Sequence, residues 1–193
     1  MLWNEYTDDN LSTEQRKLGD FLYHLSLGLG AKKVCEVGTN VGNNLVGFPK
    51  QFDVTGIDLN DHAISIAKKQ HQEFKFDLGS ILELPYEDST FDLVFTRGVL
   101  IHIDPKNIDR AISEIHRISK KWIVCLEYFG DDVKSIPWKR GADLLWYRNM
   151  KMKWEDYNVQ LITDIAVPDE IDIGKTWLTI VKKIIRSKDF DSK

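Results

Sequence analysis

Val34-Cys35-Glu36-Val37-Gly38-Thr39-Asn40-Val41-Gly42-Asn43-Asn44-Leu45 is the stretch whose reading decides the fold. A short apolar run carries an acid, Glu36. Gly38 and Gly42 follow, with Asn40 between them, and then Asn43 and Asn44. The pattern predicts a buried strand that stops abruptly, a tight loop and the first turn of a helix. Glycine takes positive φ without strain and lets a ligand come close to the backbone. Asparagine is the next residue most tolerant of the left-handed region. A loop of this kind after the first strand of an α/β unit is where nucleotide-like ligands sit.

The flanking sequence repeats the alternation. Before the loop, Leu18, Phe21, Leu22 and Leu25 recur at helical spacing, which predicts a helix over Ser12 to Leu29. Ser12 and Gln15 form a capping-box pattern, and Gly28 and Gly30 end the helix. The preceding Trp3-Asn4-Glu5-Tyr6-Thr7 is too aromatic for a discarded tail and reads as a segment folded over something. After the loop, Asn43 to Pro49 reads as a short helix. Strands are expected at Asp53 to Leu59, Phe74 to Asp77, Phe91 to Thr96 and Trp122 to Tyr128. Asn60 or Asp61 caps a helix running to about His71. Asp104-Pro105 opens another, with Ile108, Ala111, Ile112, Ile115 and Ile118 on one face. Strands alternating with helices imply a parallel sheet covered on both faces. Later, Arg140 to Trp154 is expected to be helical, with Trp138, Trp146 and Trp154 packing at eight-residue intervals. Gln160 to Ala166 and Thr176 to Ile185 read as two final strands, the last at or near an edge, and Lys188 to Lys193 as a fraying end. The 193 residues fit one domain: residues 1–30 are an N-terminal segment and helix, 31–130 the ligand-binding half, and 131–193 the substrate side.

Composition narrows the classes of function. The chain is 42% hydrophobic and 29% charged, ordinary for a globular protein. No run approaches the ~20 apolar residues of a membrane helix, and the N-terminus lacks a secretory pattern, so a cytoplasmic location is expected. A net charge of −4 argues against a sequence-independent nucleic-acid binder. Cys35 and Cys125 each lie in an apolar run and read as reduced core residues, too far apart to bridge. No metal site is expected, since there is no paired-cysteine motif and His62 and His71 stand alone.

Three acids end or follow successive strands: Glu36, Asp58 and Asp77. In a parallel sheet these strand ends share one edge, where ligands bind. Asp58 falls twenty residues after Gly38, a spacing suited to a carboxylate on ribose hydroxyls. Asp77, one strand further out, would reach an adenine amino group, with Leu59 and Leu78 flanking the base. Glu36 would face the amino-acid end of the ligand, directly or through water. An acid at the end of the first strand would repel a pyrophosphate and welcome a positively charged ligand. S-Adenosylmethionine carries a sulfonium, an amino group, a ribose and an adenine, and no phosphate.

As a set, Glu36-x-Gly38-x-Asn40-x-Gly42, Asp58, Asp77 and Phe91-Asp92-Leu93-Val94 resemble the successive motifs of the class I S-adenosylmethionine-dependent methyltransferases. The resemblance covers about residues 30 to 130. It implies a Rossmann-like, doubly wound seven-stranded α/β sheet in the order 3-2-1-4-5-7-6, its last strand antiparallel, with helices on both faces. It implies S-adenosylmethionine as cofactor, held by Glu36, Gly38, Asn40, Gly42, Asn43, Asp58, Leu59, Asp77 and Leu78. The departure is Asn40, where the usual middle glycine stands. A narrower resemblance joins Glu5-Tyr6-Thr7, the Val37 to Leu45 loop, Ile101 to Pro105, Leu126 to Phe129 and Ile136 to Gly141 to the methylases of pseudaminic acid biosynthesis. It implies a small polar acceptor, anionic or sugar-like, such as a nonulosonic-acid intermediate or nucleotide sugar.

Methyl transfer is an in-line displacement, so the protein mainly aligns its reactants in a dry pocket. A base is needed only where the nucleophile must lose a proton. Candidates after the fourth and fifth strands are His102, Arg97 and Glu127 for catalysis. Tyr6, Tyr128, Lys139 and Arg140 are candidates for binding the acceptor, with Arg148 as a further clamp. Asp92 starts its strand on the far edge and reads as structural. Two alternatives stand beside this reading. One is a methyltransferase of nucleic acid or protein, although Thr96-Arg97-Gly98-Val99 replaces the Asn/Asp-Pro-Pro-aromatic motif of the amino-methylating DNA enzymes. The other is a non-catalytic module that keeps the fold for binding. An exposed edge strand near the C-terminus would permit a homodimer.

Overall fold

Val34 and Cys35 are fully buried at the centre of a twisted sheet. The structure is a computed structural model, and it describes residues 2–9, 11, 16–172, 174 and 176–184. The strand β1 (Lys33–Val37) pairs in parallel with β2 (Asp53–Asp58) on one side and β4 (Phe91–Arg97) on the other. Beyond β2 lies β3 (Lys75–Leu78), parallel to β2, and beyond β4 lies β5 (Ser119–Glu127), parallel to β4. A two-stranded ribbon, β6 (Lys134–Ser135) with β7 (Trp146–Tyr147), stands apart. The last strands are β8 (Val159–Ala166) and β9 (Trp177–Lys183). The main sheet has seven strands in the order β3-β2-β1-β4-β5-β9-β8. Counted within the sheet, that is the expected 3-2-1-4-5-7-6, with β9 antiparallel to both neighbours. β9 lies one strand in from the edge, which β8 forms.

Helices cover both faces because each has an apolar stripe to hide. On one face, Leu18 and Leu22 of α2 (Arg16–Gly28) and Ile64 and Ala67 of α3 (Asp61–Gln70) pack against Val34, Val54, Phe76 and Phe95. On the other, all five expected apolar residues of α4 (Ile108–Ile118) are buried against Cys35, Val94 and Ile123. Each isoleucine hidden there contributes about 1.5–3 kcal/mol of transfer free energy. Asn60 caps α3 through its side chain, which accepts from the His62 N–H. Asp92 accepts the N–H groups of Lys32 and Lys33, each at 3.0 Å, and so ties β4 to the start of β1 on the edge away from the cavity. Cys35 and Cys125 are free and buried on that second face.

The segment expected to fold over something does so, as α1 (Leu2–Asp9). Two expectations change. The helix expected from Arg140 to Trp154 shrinks to α5 (Met150–Lys153). Positive φ at Gly141 (+152°) and Asp143 (+52°) breaks the pattern, and the segment closes instead through a hydrogen bond from Ile136 N to the Leu145 carbonyl. The helix expected from Asp104 starts at Ile108. Asp104 spends its side chain on the Lys106 N–H, capping a preceding turn. The Ser12–Gln15 cap, the last residue of the expected final strand and the Lys188–Lys193 end lie outside the described residues.

Candidate functional site

A cavity of about 290 Å³ opens at the carboxyl ends of β1, β2 and β4. That is near the lower end of the range for ligand pockets, about 300–1,000 Å³. One wall is the Val37 to Asn44 loop. Gly38 has φ +79°, and a Cβ there would lie 2.2 Å from Val99 Cγ2, so only glycine fits between the two loops. Gly42 has φ +83° and leads into a single 3-10 turn (Asn43–Leu45) rather than the expected helix. Asn40 takes the left-handed conformation, φ +50°. Its backbone N–H donates to Asp58 Oδ2 at 2.8 Å, while the Asn60 N–H donates to Oδ1 at 2.9 Å. Burial raises the Asp58 pKa, and these backbone donors work against that rise.

Glu36, expected to face the ligand, lies behind this loop. It has no exposure, and its two oxygens accept from Thr39 Oγ1 and Asn44 Nδ2, each at 2.6 Å. Burial pushes its pKa up to about 7, against the lowering effect of those two bonds. Glu36 therefore positions Thr39 and Asn44, which line the cavity. Asn44 Oδ1 is buried with no partner among the described residues. Of the expected cofactor residues, Gly38, Asn40, Asn43, Asp58 and Leu59 line the cavity. Asp77 and Leu78 end β3 exposed and outside that lining, where Tyr86 donates its hydroxyl to Asp77 at 2.9 Å.

The opposite wall comes from α1 and the turn after β4. Trp3, Tyr6, Val99 and His102 line it. Trp3 and His102 meet edge to face with ring centroids 5.1 Å apart, and Trp138 lies 5.0 Å from His102. The His102 Nδ1–H donates to the Leu144 carbonyl at 2.9 Å, which leaves the lone pair on Nε2. Burial lowers the His102 pKa, so the ring is neutral at pH 7.

The remaining charged candidates are engaged within the chain. Arg97 lines the cavity, but its Nη2 and Nε contact the Asp172 carboxylate at 2.7 and 3.3 Å. Asp172 also accepts from Gly174 N and Thr176 Oγ1. Burial opposes the Arg97 charge, but the bond and charge of Asp172 outweigh it and hold the guanidinium pKa above its usual value. Arg140 sits beside the Tyr6 and Trp138 rings and pairs with Asp9 and Glu5. Lys139 pairs with Asp9 at 3.4 Å. Arg148, read as a clamp, is buried and donates to the Leu100 and Ile103 carbonyls. Glu127, read as catalytic, is buried behind the wall and accepts the N–H groups of Val99 and Ile101. Both hold the turn that carries His102. Tyr128 stacks on Tyr147 outside the lining. Asp172 carries no sequence signal as a site residue, since its partner Arg97 lies 75 positions away, and the partners of Thr7 and Asn44 lie 33 and 8 positions away.

The donor set suits a cationic nucleoside better than a pyrophosphate. Arg97 is the single cation among the lining residues, and Asp172 occupies it. Asp58 offers a carboxylate, Asn44 an orphaned carbonyl, and Ile57, Gly79 and Ile81 apolar lining. Among the described residues no group of three or more metal-ligating side chains occurs, and no helix is long and apolar enough to cross a membrane.

Comparison with known proteins agrees with this geometry. Residues 34–121 match the family profile described as "Methyltransferase domain". Norajmaline N-methyltransferase of Rauvolfia serpentina is 36% identical over 107 residues, which are 50% of this chain and 36% of that protein. An uncharacterized protein of Haemophilus influenzae is 30% identical over 97 residues, 46% of this chain and 39% of that one. The chain thus spans well under half the length of these curated relatives. Among solved structures, the 1,6-didemethyltoxoflavin-N1-methyltransferase of Burkholderia thailandensis, with its substrate and S-adenosylhomocysteine bound, superposes with TM-score 0.71 at 16% identity, covering 95% of this chain and 88% of that one. Magnesium protoporphyrin IX methyltransferase of Synechocystis, with S-adenosylhomocysteine bound, gives 0.67 at 14%, covering 88% and 83%. This chain has the Rossmann-like fold that those methyltransferases share.

Proposed function

We propose that the protein is an S-adenosylmethionine-dependent methyltransferase acting on a small polar molecule. The observation that carries this reading is the cavity itself: Asp58 with a left-handed Asn40 beside it, an unpartnered Asn44 carbonyl, and no free cation for a phosphate. When bound, S-adenosylmethionine supplies a methyl group activated by its sulfonium. Asp58 and the Asn40 to Asn44 loop would hold its ribose and amino-acid ends, and Ile57 and Ile81 its base. His102 Nε2 takes the proton that the acceptor loses as its lone pair attacks. Trp3, Tyr6 and Val99 keep water from the reacting atoms.

The acceptor is the finer part of the proposal. Three of the sequence pieces behind the narrower resemblance contribute to this cavity: Tyr6 and Thr7, the glycine loop, and His102 and Ile103. That convergence supports a sugar-like acceptor. An anionic one has less support, because Arg97, Lys139, Arg140 and Arg148 already hold partners within the chain. Exposed Leu161, Ile162 and Ile165 on the β8 edge support a homodimer, which sedimentation showing a monomer at high micromolar concentration would remove. Isothermal titration with S-adenosylmethionine, S-adenosylhomocysteine and NAD tests the main reading. Micromolar binding of the first two and none of NAD is expected; NAD binding alone overturns it.

A further inference from the structure

The mechanism gives the Asn40 side chain nothing to do. A glycine would take the backbone conformation of φ +50° with less strain. The structure shows what the side chain contributes instead. Asn40 Oδ1 accepts a hydrogen bond from Thr7 Oγ1 at 2.8 Å. Thr7 is 1% exposed and is the buried residue of α1. Its Oγ1 in turn accepts from Asn60 Nδ2 at 3.1 Å. The backbone N–H groups of Asn40 and Asn60 are the two that hold Asp58. One hydroxyl of α1 is therefore seated between the loops after β1 and β2, on the pair of residues that orient the acid of the site.

α1 is also held by ring contacts of Trp3 and Tyr6 with His102 and Trp138 and by ion pairs: Asp8 with His62 at 2.9 Å, Glu5 with Arg140 at 3.6 Å, and Asp9 with Lys139 and Arg140. Exposed pairs of this kind contribute little each and weaken in salt. The buried Thr7 bond is different. With glycine at position 40 its hydroxyl proton would lose this acceptor, on a residue that is 1% exposed.

We propose that Thr7 and Asn40 form a latch that seats α1 as a lid on the cofactor loop, so that the wall made by Trp3 and Tyr6 is assembled only with the latch closed. Both are positioning residues. The latch stands on its own geometry, whereas its coupling to ligand rests on the proposed S-adenosylmethionine site. Coupling of this kind is reciprocal: what seats α1 tightens ligand, and ligand seats α1.

Hydrogen–deuterium exchange on the full chain tests it, with wild type, Thr7→Val, Thr7→Ser and Asn40→Gly compared with and without S-adenosylhomocysteine. In the free protein, Thr7→Val and Asn40→Gly should exchange the α1 amides about fivefold faster, the factor that one ordinary hydrogen bond represents. Thr7→Ser keeps the hydroxyl and should match wild type. Amides of β1 and β4 should stay protected in all four, which shows that the variants are folded. S-Adenosylhomocysteine should slow α1 exchange in wild type and bind Thr7→Val about fivefold more weakly. Wild-type α1 rates in both Thr7→Val and Asn40→Gly overturn the latch. If S-adenosylhomocysteine fails to bind wild type, the coupling and the proposed cofactor fall together, and the ligand-free rates still decide the latch.

Discussion

Glu36 has its carboxyl in the core, between a threonine hydroxyl and an asparagine amide. Burial raises its pKa from 4.5 to about 7. A group raised on folding gives its full stability below the unfolded value and loses it as pH climbs through the folded one. Wild type should therefore lose about 3 kcal/mol of unfolding free energy between pH 4.5 and pH 8 on account of Glu36. Glu36→Gln should lack that slope, since its amide has no proton to lose in this range and the Thr39 hydroxyl can turn to accept from it. Urea unfolding of both proteins across this pH range checks it; parallel profiles would refute it. His102 is the second residue with a pH signature. Its pKa is held below 6.5 by burial, so the rate should rise with pH along an acid limb below 6.5. His102→Asn should lower kcat by about 10²–10⁴ and abolish that limb in a methyl-transfer assay.

At the scale of elements, the turn after β4 is held from three directions. Glu127 at the end of β5 binds its N–H groups, Arg148 after β7 binds its carbonyls, and Arg97 at the end of β4 reaches Asp172 before β9. Asp172 is 2% exposed at its side chain and Arg97 16%. Breaking such a pair leaves a charge in the interior without compensation, so Asp172→Ala should cost about 3–5 kcal/mol in chemical unfolding. A loss below 1 kcal/mol would show that water reaches Arg97. The segment from 140 to 154 shows where element reading fails. Trp146, Met150 and Trp154 fall at helical spacing, and the last two are buried. Yet Gly141 and Asp143 turn the chain, and tertiary contacts of Trp138 with His102 take precedence over local periodicity.

At the scale of the whole molecule, ligand and stability are linked through one cavity. Parallel strands deliver the glycine loop, Asp58 and Arg97 to the same sheet edge, and α1 closes over them. A ligand that binds only the folded state at a hundred times its Kd adds about 2.7 kcal/mol. S-Adenosylhomocysteine at that concentration should raise Tm by about 5–10 °C, at about 2–4 °C per kcal/mol for a chain of this size. NAD at the same concentration should leave Tm unchanged, and differential scanning fluorimetry reads both.

Local chemistry was enough to determine the sheet and the glycine loop. An apolar run fixes a buried strand, Gly38 and Gly42 fix positive φ, and the spacing of strand-ending acids fixes the edge where Asp58 stands. The same sequence marked Trp3 to Thr7 as a cover. Only the tertiary structure decided how charges were shared out. Glu36, Glu127, Arg148 and Arg97 all read as ligand-facing from their types. Their roles were set by partners far along the chain, such as Asp172 at 75 positions from Arg97. Asn40 likewise read as an imperfect glycine until folding brought Thr7 against it, 33 positions away. A side chain's type limits the bonds it can form, but which bond it forms depends on what the fold buries beside it.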